Sequence, residues 1–247
     1  MEQVRISKIL SELGLCSRRE ADKYIEQGLV LLDGKVVDEL GTKACRSQKV
    51  ELLKKARLNQ SLKATVILNK PVSYISHLDD DKEFTPASSL ITPDNYYNLN
   101  LETTSNRNPI FNREGLAPAG RLDIDSSGML VLTQDGRIAK KIIGEESADI
   151  EKEYLVRVEG AINDDDMKLL NHGLTLDDYE LKPAKVNWQN KDQLNFVLIE
   201  GRNRQIRKMC ELVGLKVNGL KRVRIGNVRL NDLPEGKWRF LSEEESF

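Results

Sequence analysis

An Asp-Gly dipeptide between two short aliphatic runs, VLL at 30–32 and KVV at 35–37, is the tightest local constraint in this chain. A two-residue turn that reverses a strand needs positive φ at its central positions, which Asp33 and Gly34 tolerate and bulkier residues resist. Two helical patterns lead into it. Ile6, Ile9, Leu10 and Leu13 fall at helical spacing, with Gly14 as a stop signal. Ser17 then opens SRREADKYIEQG with Glu20 at capping-box spacing. Ala21, Tyr24 and Ile25 give this second helix its apolar face, and Gly28 ends it. Helix, helix and hairpin make a compact unit over 1–53. Its core is too small to stand comfortably alone, so it should lean on the rest of the chain or on a bound partner.

The whole chain has 247 residues, 39% hydrophobic and 31% charged, which suits a globular protein rather than a disordered one. Its apolar runs fall short of the roughly 20 residues that span a bilayer. The stretch MEQVRISKILSEL carries acidic and polar residues where a signal peptide carries its apolar core, so a cytoplasmic protein is expected. Cys16, Cys45 and Cys210 are scattered and odd in number, and only His77 and His172 join them. Neither a disulfide framework nor a metal centre fits, and no metal is expected. The net charge of -1 hides segregation. Residues 1–63 carry a net of +4, residues 200–240 a net of +7 and residues 144–199 a net of -7. Two basic blocks can meet phosphate in a chain of near-neutral total, because binding needs local charge and not a high pI. An unevenly charged solvated surface is the alternative.

Beyond the front unit, KKARLNQSLK at 54–63 reads as a polar linker, and 64–247 as one larger domain. Val66-Ile67-Leu68 reads as a buried strand ended by Pro71. Residues 76–114, rich in Asp, Asn, Thr and Pro, read as a long irregular insertion. The densest motif is APAGRLDIDSSGMLVLTQDG at 117–136. Gly120 permits a tight backbone, Ser126-Ser127-Gly128 a turn, and Met129 to Thr133 a strand. Arg137 to Ile143 look helical. Strands are expected at Tyr154–Val158, Lys185–Trp188 and Leu194–Ile199. A helix is expected at Ile206–Val213, packed by Ile206, Met209, Cys210 and Val213. Cys210 is then a buried small hydrophobe rather than a reactive thiol.

Asp123 and Asp125 stand two residues apart and would share a face of an extended segment. On residue chemistry alone they could hold a metal, act as a glycosidase-like pair or cap a turn. Too few other ligands are at hand for a metal, and the pair is close for acid/base work on opposite faces of a sugar. Tyr154 in a strand reads equally as packing. Arg207 in an Arg-rich helix start reads equally as a phosphate contact.

Two resemblances narrow these readings. RISKILSELGLCSRREADKYIEQGLVLLDGKVV, with its surroundings from 4 to about 50, resembles the S-four-type RNA-binding module. The resemblance implies that Arg5, Lys8, Ser17, Arg18, Arg19 and Lys23 face RNA phosphates, contacts that position RNA but carry little base information. GRLD followed by DSSGMLVLTQDG, then KEYLV at 152–156, then LIEGRNRQIRKMCELVG at 198–214, resemble in order and separation the Rsu/Rlu family of ribosomal RNA pseudouridine synthases. LKRVRIGNVRL and LPEGKWRFL, which follow, are also similar to that family.

The implied reaction breaks the N1 glycosidic bond of a uridine, rotates the uracil and rejoins it to the ribose through carbon 5, with no cofactor. The resemblance assigns the nucleophile to Asp123, attacking ribose C1′ or starting with loss of the 2′ proton. It places Arg207 against Asp123 as a bidentate salt-bridge partner. It sets Tyr154 under the flipped base, with Gly120, Arg121, Leu122 and Leu220 in support and Leu220 packing at the base pocket. Arg202, Asn203, Arg204, Gln205 and Lys208 are expected on phosphate or in stabilising their loop. The implied fold is α+β: a small helix-helix-hairpin RNA-binding domain, then a catalytic domain with a mixed, mainly antiparallel sheet, a central cleft and flanking helices. The implied partner is ribosomal RNA or a ribosome assembly intermediate, met by a monomer. NRQIRKMCELVG and LKRVRIGNV look closest to the large-subunit (RluF-type) branch acting on 23S rRNA. The 16S branch is the runner-up, and transfer RNA is third. A catalytically silent RNA-binding protein on the same fold is the competing class.

Overall fold

The computed structural model describes residues 2–77, 83–97, 112–144 and 150–247. The front unit contains β1 (Gln3–Arg5), α1 (Ile6–Glu12), α2 (Arg18–Glu26), β2 (Val30–Leu32), β3 (Lys35–Val37), β4 (Lys43–Cys45) and β5 (Val50–Leu52). The capping box forms as expected. The Ser17 hydroxyl accepts from the Glu20 amide at 3.4 Å, and the Glu20 carboxylate accepts from the Ser17 amide at 2.6 Å. β2 and β3 turn at Asp33 (φ 48°) and Gly34 (φ 80°), with Leu32 paired to Lys35. Three strands that the sequence left unread, β1, β4 and β5, complete the unit: β5 pairs with β2, and β4 with β1. Ile6, Ile9, Leu10, Ala21, Tyr24 and Ile25 pack with Val30, Val50 and Leu52 in its core. Leu13 departs from expectation and is exposed, because it caps α1 beyond the last buried turn.

The expected linker is mostly a helix. α3 (Lys54–Ser61) buries Ala56 and Gln60, and the Gln60 side-chain amide donates to the Tyr24 hydroxyl at 3.0 Å. Its buried face is one alanine and one polar anchor wide, too little to register as amphipathic periodicity.

The body contains β6 (Thr65–Lys70), β7 (Tyr74–Ile75), β8 (Thr85–Pro86), β9 (Ala117–Pro118), β10 (Ser127–Thr133), α4 (Gly136–Ile143), β11 (Lys152–Glu159), α5 (Asp164–Asn171), β12 (Thr175–Leu176), β13 (Tyr179–Glu180), β14 (Lys185–Asn190), β15 (Gln193–Leu198), α6 (Gln205–Leu212), β16 (Lys216–Ile225), β17 (Val228–Arg229) and β18 (Trp238–Phe240). The main sheet runs β14-β15-β11-β16-β10-β6-β18. All its neighbours are antiparallel except β10 and β16, which run parallel at Ser127–Lys221 and Gly128–Arg222. This is the expected mixed, mainly antiparallel α+β core. Period-two alternation sorts the side chains. Val66, Leu68, Leu130 and Leu132 join Tyr154, Val156 and Phe196 on one side; Ile67, Met129 and Val131 join Ile142, Ile225 and Phe247 on the other. Gly128 (φ 103°) lies so close to β16 that a Cβ would collide with the Arg222 backbone.

Part of the stretch expected to be irregular is packed structure. Tyr96 bridges to Trp238, and its ring lies 5.0 Å from that of Trp238 and 5.9 Å from that of Phe240. Residues 78–82 and 98–111 of that expectation lie outside the described residues.

Front unit and body meet at the start of α4. The Gly136 amide donates to the Glu20 carboxylate at 3.4 Å, Lys63 pairs with Glu20, and Arg137 Nη1 donates to the Gly14 carbonyl at 3.4 Å. A Cβ at Gly136 would stand 2.5 Å from Ser17 Cβ and Oγ. Ser17 therefore faces the body. Its hydroxyl serves the helix cap and stands at the seam.

Candidate active site

Residues 119–126 form the loop between β9 and β10, with Gly120 at φ 99°. Ser76, Ser73 and Arg222 help to clamp it. The Ser76 hydroxyl donates to the Leu122 carbonyl at 2.7 Å and accepts from the Leu122 amide at 2.8 Å. The Ser73 amide donates to the Ile124 carbonyl at 2.8 Å, and Arg222 Nη1 donates to the Arg121 carbonyl at 3.2 Å. Inside the loop the Ser126 amide donates to the Asp123 carbonyl at 3.1 Å. Asp123 thereby lines a cavity of about 530 Å³. Tyr154 from β11, Arg207 and Ile206 from α6, and Leu220 from β16 line the same cavity. Its size suits a small organic group such as a nucleoside, within the usual range of ~300–1,000 Å³ for ligand pockets.

One expected contact is corrected. Arg207 Nη2 donates to the Asp125 carbonyl at 2.9 Å and pairs with Asp125 Oδ1 at 3.2 Å, rather than with Asp123. Arg204 takes the other oxygen of Asp125 at 3.2 Å. The turn closed by Ser126 removes the two carboxylates from the common face an extended segment would give them. Asp125 goes to the start of α6, and Asp123 stays on the cavity wall.

Lys70, at the end of β6, is a cation in the field of Asp125 and Asp123. Lys70 is fully buried, and its ammonium donates to the carbonyls of Pro71 and Tyr74 at 2.8 Å each. Burial pulls its pKa down to about 8, against the opposing pull of Asp125 and Asp123.

The expected RNA contacts divide. Arg5, Arg18, Arg19 and Lys23 are exposed; Lys8 pairs loosely with Glu12 at 3.7 Å. Near α6, the Arg202 guanidinium stacks 3.1 Å from the Tyr179 ring centroid, Lys208 pairs with Asp177 at 2.6 Å, and Asn203 is exposed. Gln205 is buried. Its amide donates to Glu200 at 3.0 Å and its carbonyl accepts from the Arg202 amide at 3.0 Å, so both ends are used within the loop. Arg204, at φ 51°, is a left-handed residue at the head of α6. Sequence reasoning missed Lys70, Ser73, Ser76, Lys152 and Arg222. The signal for Lys70 was a lysine closing the apolar run VILNK just before Pro71.

Residues 64–212 match the RNA pseudouridylate synthase family, and residues 4–50 match the S4 domain. The chain belongs to the RNA pseudouridylate synthase family. It is an isomerase that makes pseudouridine in RNA. Among its relatives is the dual-specificity RNA pseudouridine synthase RluF of Escherichia coli strain K12, 36% identical over 98% of this chain and 77% of that protein. Another is the ribosomal large subunit pseudouridine synthase B of Bacillus subtilis, 31% identical over 98% of this chain and 93% of that one. A crystal structure of a pseudouridylate synthase, 24% identical, superposes with a TM-score of 0.62 over 97% of this chain and 96% of that one, and shares the fold.

Proposed function

We propose that this synthase converts a uridine of 23S rRNA, working as a cytoplasmic monomer with Asp123 as the group that opens the glycosidic bond. The observation that carries the assignment is the convergence of Asp123, Tyr154, Arg207 and Leu220, from four separate segments, on one cavity. Asp123 acts on the ribose side, as nucleophile at C1′ or base at the 2′ position. N1 leaves carbon 1′, the uracil turns on the Tyr154 ring, carbon 5 bonds to carbon 1′, and the carbon 5 proton departs while N1 gains one. Leu220 forms the apolar side of the base pocket. Arg207 holds the Asp125 end of the loop and so sets where Asp123 stands. A uridine in folded RNA must leave its stack to enter. The front unit, 1–53, brings RNA phosphates through Arg18, Arg19 and Lys23, and 64–247 supplies the chemistry.

Asp123→Asn should abolish tritium release from RNA labelled at uracil carbon 5 while RNA affinity stays within a few fold. Turnover by Asp123→Asn in a single-turnover assay would remove it as nucleophile. Comparing pseudouridine maps of rRNA from a gene-deleted strain with wild type identifies the target. A lost site in 16S and none in 23S would overturn the large-subunit assignment. The dual specificity in the name of the RluF relatives favours a second RNA as an additional substrate, and the same map extended to total RNA reads it.

A further inference from the structure

The strand that carries Tyr154 sorts its charges by face. Glu151 and Glu153, on one face, are spent on Arg224 at 2.9 and 2.6 Å, and Glu151 also on Lys185 at 2.7 Å. Lys152 is on the other face, two residues before Tyr154 and so about 6.7 Å along the strand. Among the described residues its ammonium meets the Ile150 carbonyl, at 3.5 Å. In the next strand Arg222 is registered opposite Tyr154. Arg222 is 4% exposed; its Nε donates to the Met129 carbonyl at 2.8 Å and its Nη1 to Arg121 at 3.2 Å, while Nη2 has no acceptor among the described residues. Lys152 and Arg222 both line the cavity of Asp123. Among the described residues neither is paired with a carboxylate.

Two cations drawn from water without a counter-charge are costly unless an anion joins them. Burial and then the charge of Arg222 lower the Lys152 pKa. We infer that Lys152 and Arg222 form an anion subsite beside the uridine pocket, which takes a backbone phosphate adjoining the reacting nucleotide. This rests on the reading of the cavity as the uridine site. A phosphodiester fits better than the uracil because it carries its full charge in the resting complex, whereas the base gains charge only as its bond to ribose breaks. A nucleotide entering the cavity also brings its two flanking phosphates to the cavity's edge. Lys152, half-buried, reaches outward as a point charge, and the fixed fork of Arg222 braces the inner side.

The test uses the full-length enzyme and an rRNA fragment carrying the mapped uridine. Lys152→Gln should flatten the dependence of log affinity on log salt by about 0.7, the share of one phosphate contact on a single strand. Lys152→Arg should keep the wild-type slope. A neutral methylphosphonate at one of the two phosphates flanking the uridine should weaken wild-type binding to the level of Lys152→Gln. The variant should lose nothing further on that RNA. Equal salt slopes, or additive losses at both positions, overturn the subsite. So does a fall in single-turnover rate at saturating RNA with affinity unchanged, which would move the cation to the departing uracil. Failure of the underlying reading shows separately, as turnover by Asp123→Asn.

Discussion

The cations of α2 and those around α6 have similar residue types and opposite situations. Arg18, Arg19 and Lys23 stand exposed and pair with no carboxylate among the described residues. Arg204 and Arg207 share Asp125, Lys208 holds Asp177, and Arg202 lies on Tyr179. An exposed free cation gives up bound counterions when it meets phosphate and gains affinity in proportion. A cation already engaged holds a piece of the protein in place. On the proposed function, the front helix is built for attraction and the cleft for placement.

Arg207→Ala should break that contrast most visibly. Its Nη2 ties the Asp125 carbonyl to α6, and Asp125 is near enough to Asp123 for a slackened loop to move Asp123. A misplacement of ~1 Å at a reacting group costs roughly a hundredfold in rate, and a loss of that order in single-turnover rate is expected. RNA affinity should hold. The exposed side of Asp125 stays hydrated, so the stability loss should stay below the ~3–5 kcal/mol of breaking a fully buried pair. Arg207→Lys should recover part of the rate, since it restores charge without the fork. Weakened binding with an unchanged rate would put Arg207 with the front-helix cations.

Replacing Arg18, Arg19 and Lys23 together by Ala tests the other half. The salt slope of RNA binding should flatten by up to ~2 units, and the rate at saturating RNA should change little. A lower melting temperature with the original slope would show that these residues only stabilise the fold.

Gly136→Ala probes the joint between the two regions. The new methyl would press on Ser17, which is locked by its capping box, so the front unit must shift. A stability loss of about 1–3 kcal/mol is expected, as for an overpacked contact. Thermal unfolding reads the loss. A rise in KM larger than any fall in kcat would show that both regions grip RNA at a fixed spacing. Unchanged KM and melting temperature would show that the joint is slack.

What the sequence made legible follows from how local each cause is. The Ser17–Glu20 box and the Asp33-Gly34 turn are complete within four residues, and both formed. β6 and β10 announce themselves as apolar runs because both faces of the sheet are covered. Asp123, Tyr154, Arg207 and Leu220 were legible through motif resemblance, and the fold brings them to one cavity. The partner of Arg207 was not, because a turn between Asp123 and Ser126 decides which carboxylate faces α6. The helix at Lys54–Ser61 was missed because its anchor is a hydrogen bond between Gln60 and Tyr24, which leaves no periodic trace. Arg222 was passed over as one arginine among several in LKRVRIGNVRL; only strand register sets it beside Tyr154.

Lys70 extends the contrast to a third situation, a cation neither free nor paired but fully buried. Its folded pKa of about 8 lies below the value of 10.5 expected for an unperturbed lysine. Between those two values the unfolded chain holds a proton that the folded chain has given up. Stability must therefore rise with pH across that window, while below pH 8 the cost of burying the charge is present in full. The neutral amine still has two N–H donors, enough for the carbonyls of Pro71 and Tyr74, so those bonds survive deprotonation. Lys70→Met removes the titration along with the donors. Its absolute stability falls, but the stability of wild type relative to the variant should climb from about pH 8 towards 10.5, which denaturant unfolding at a series of pH values reads. Parallel curves would mean that Lys70 stays charged throughout. Its field would then be held by Asp125 and Asp123, and the buried lysine would belong with the paired cations of the cleft.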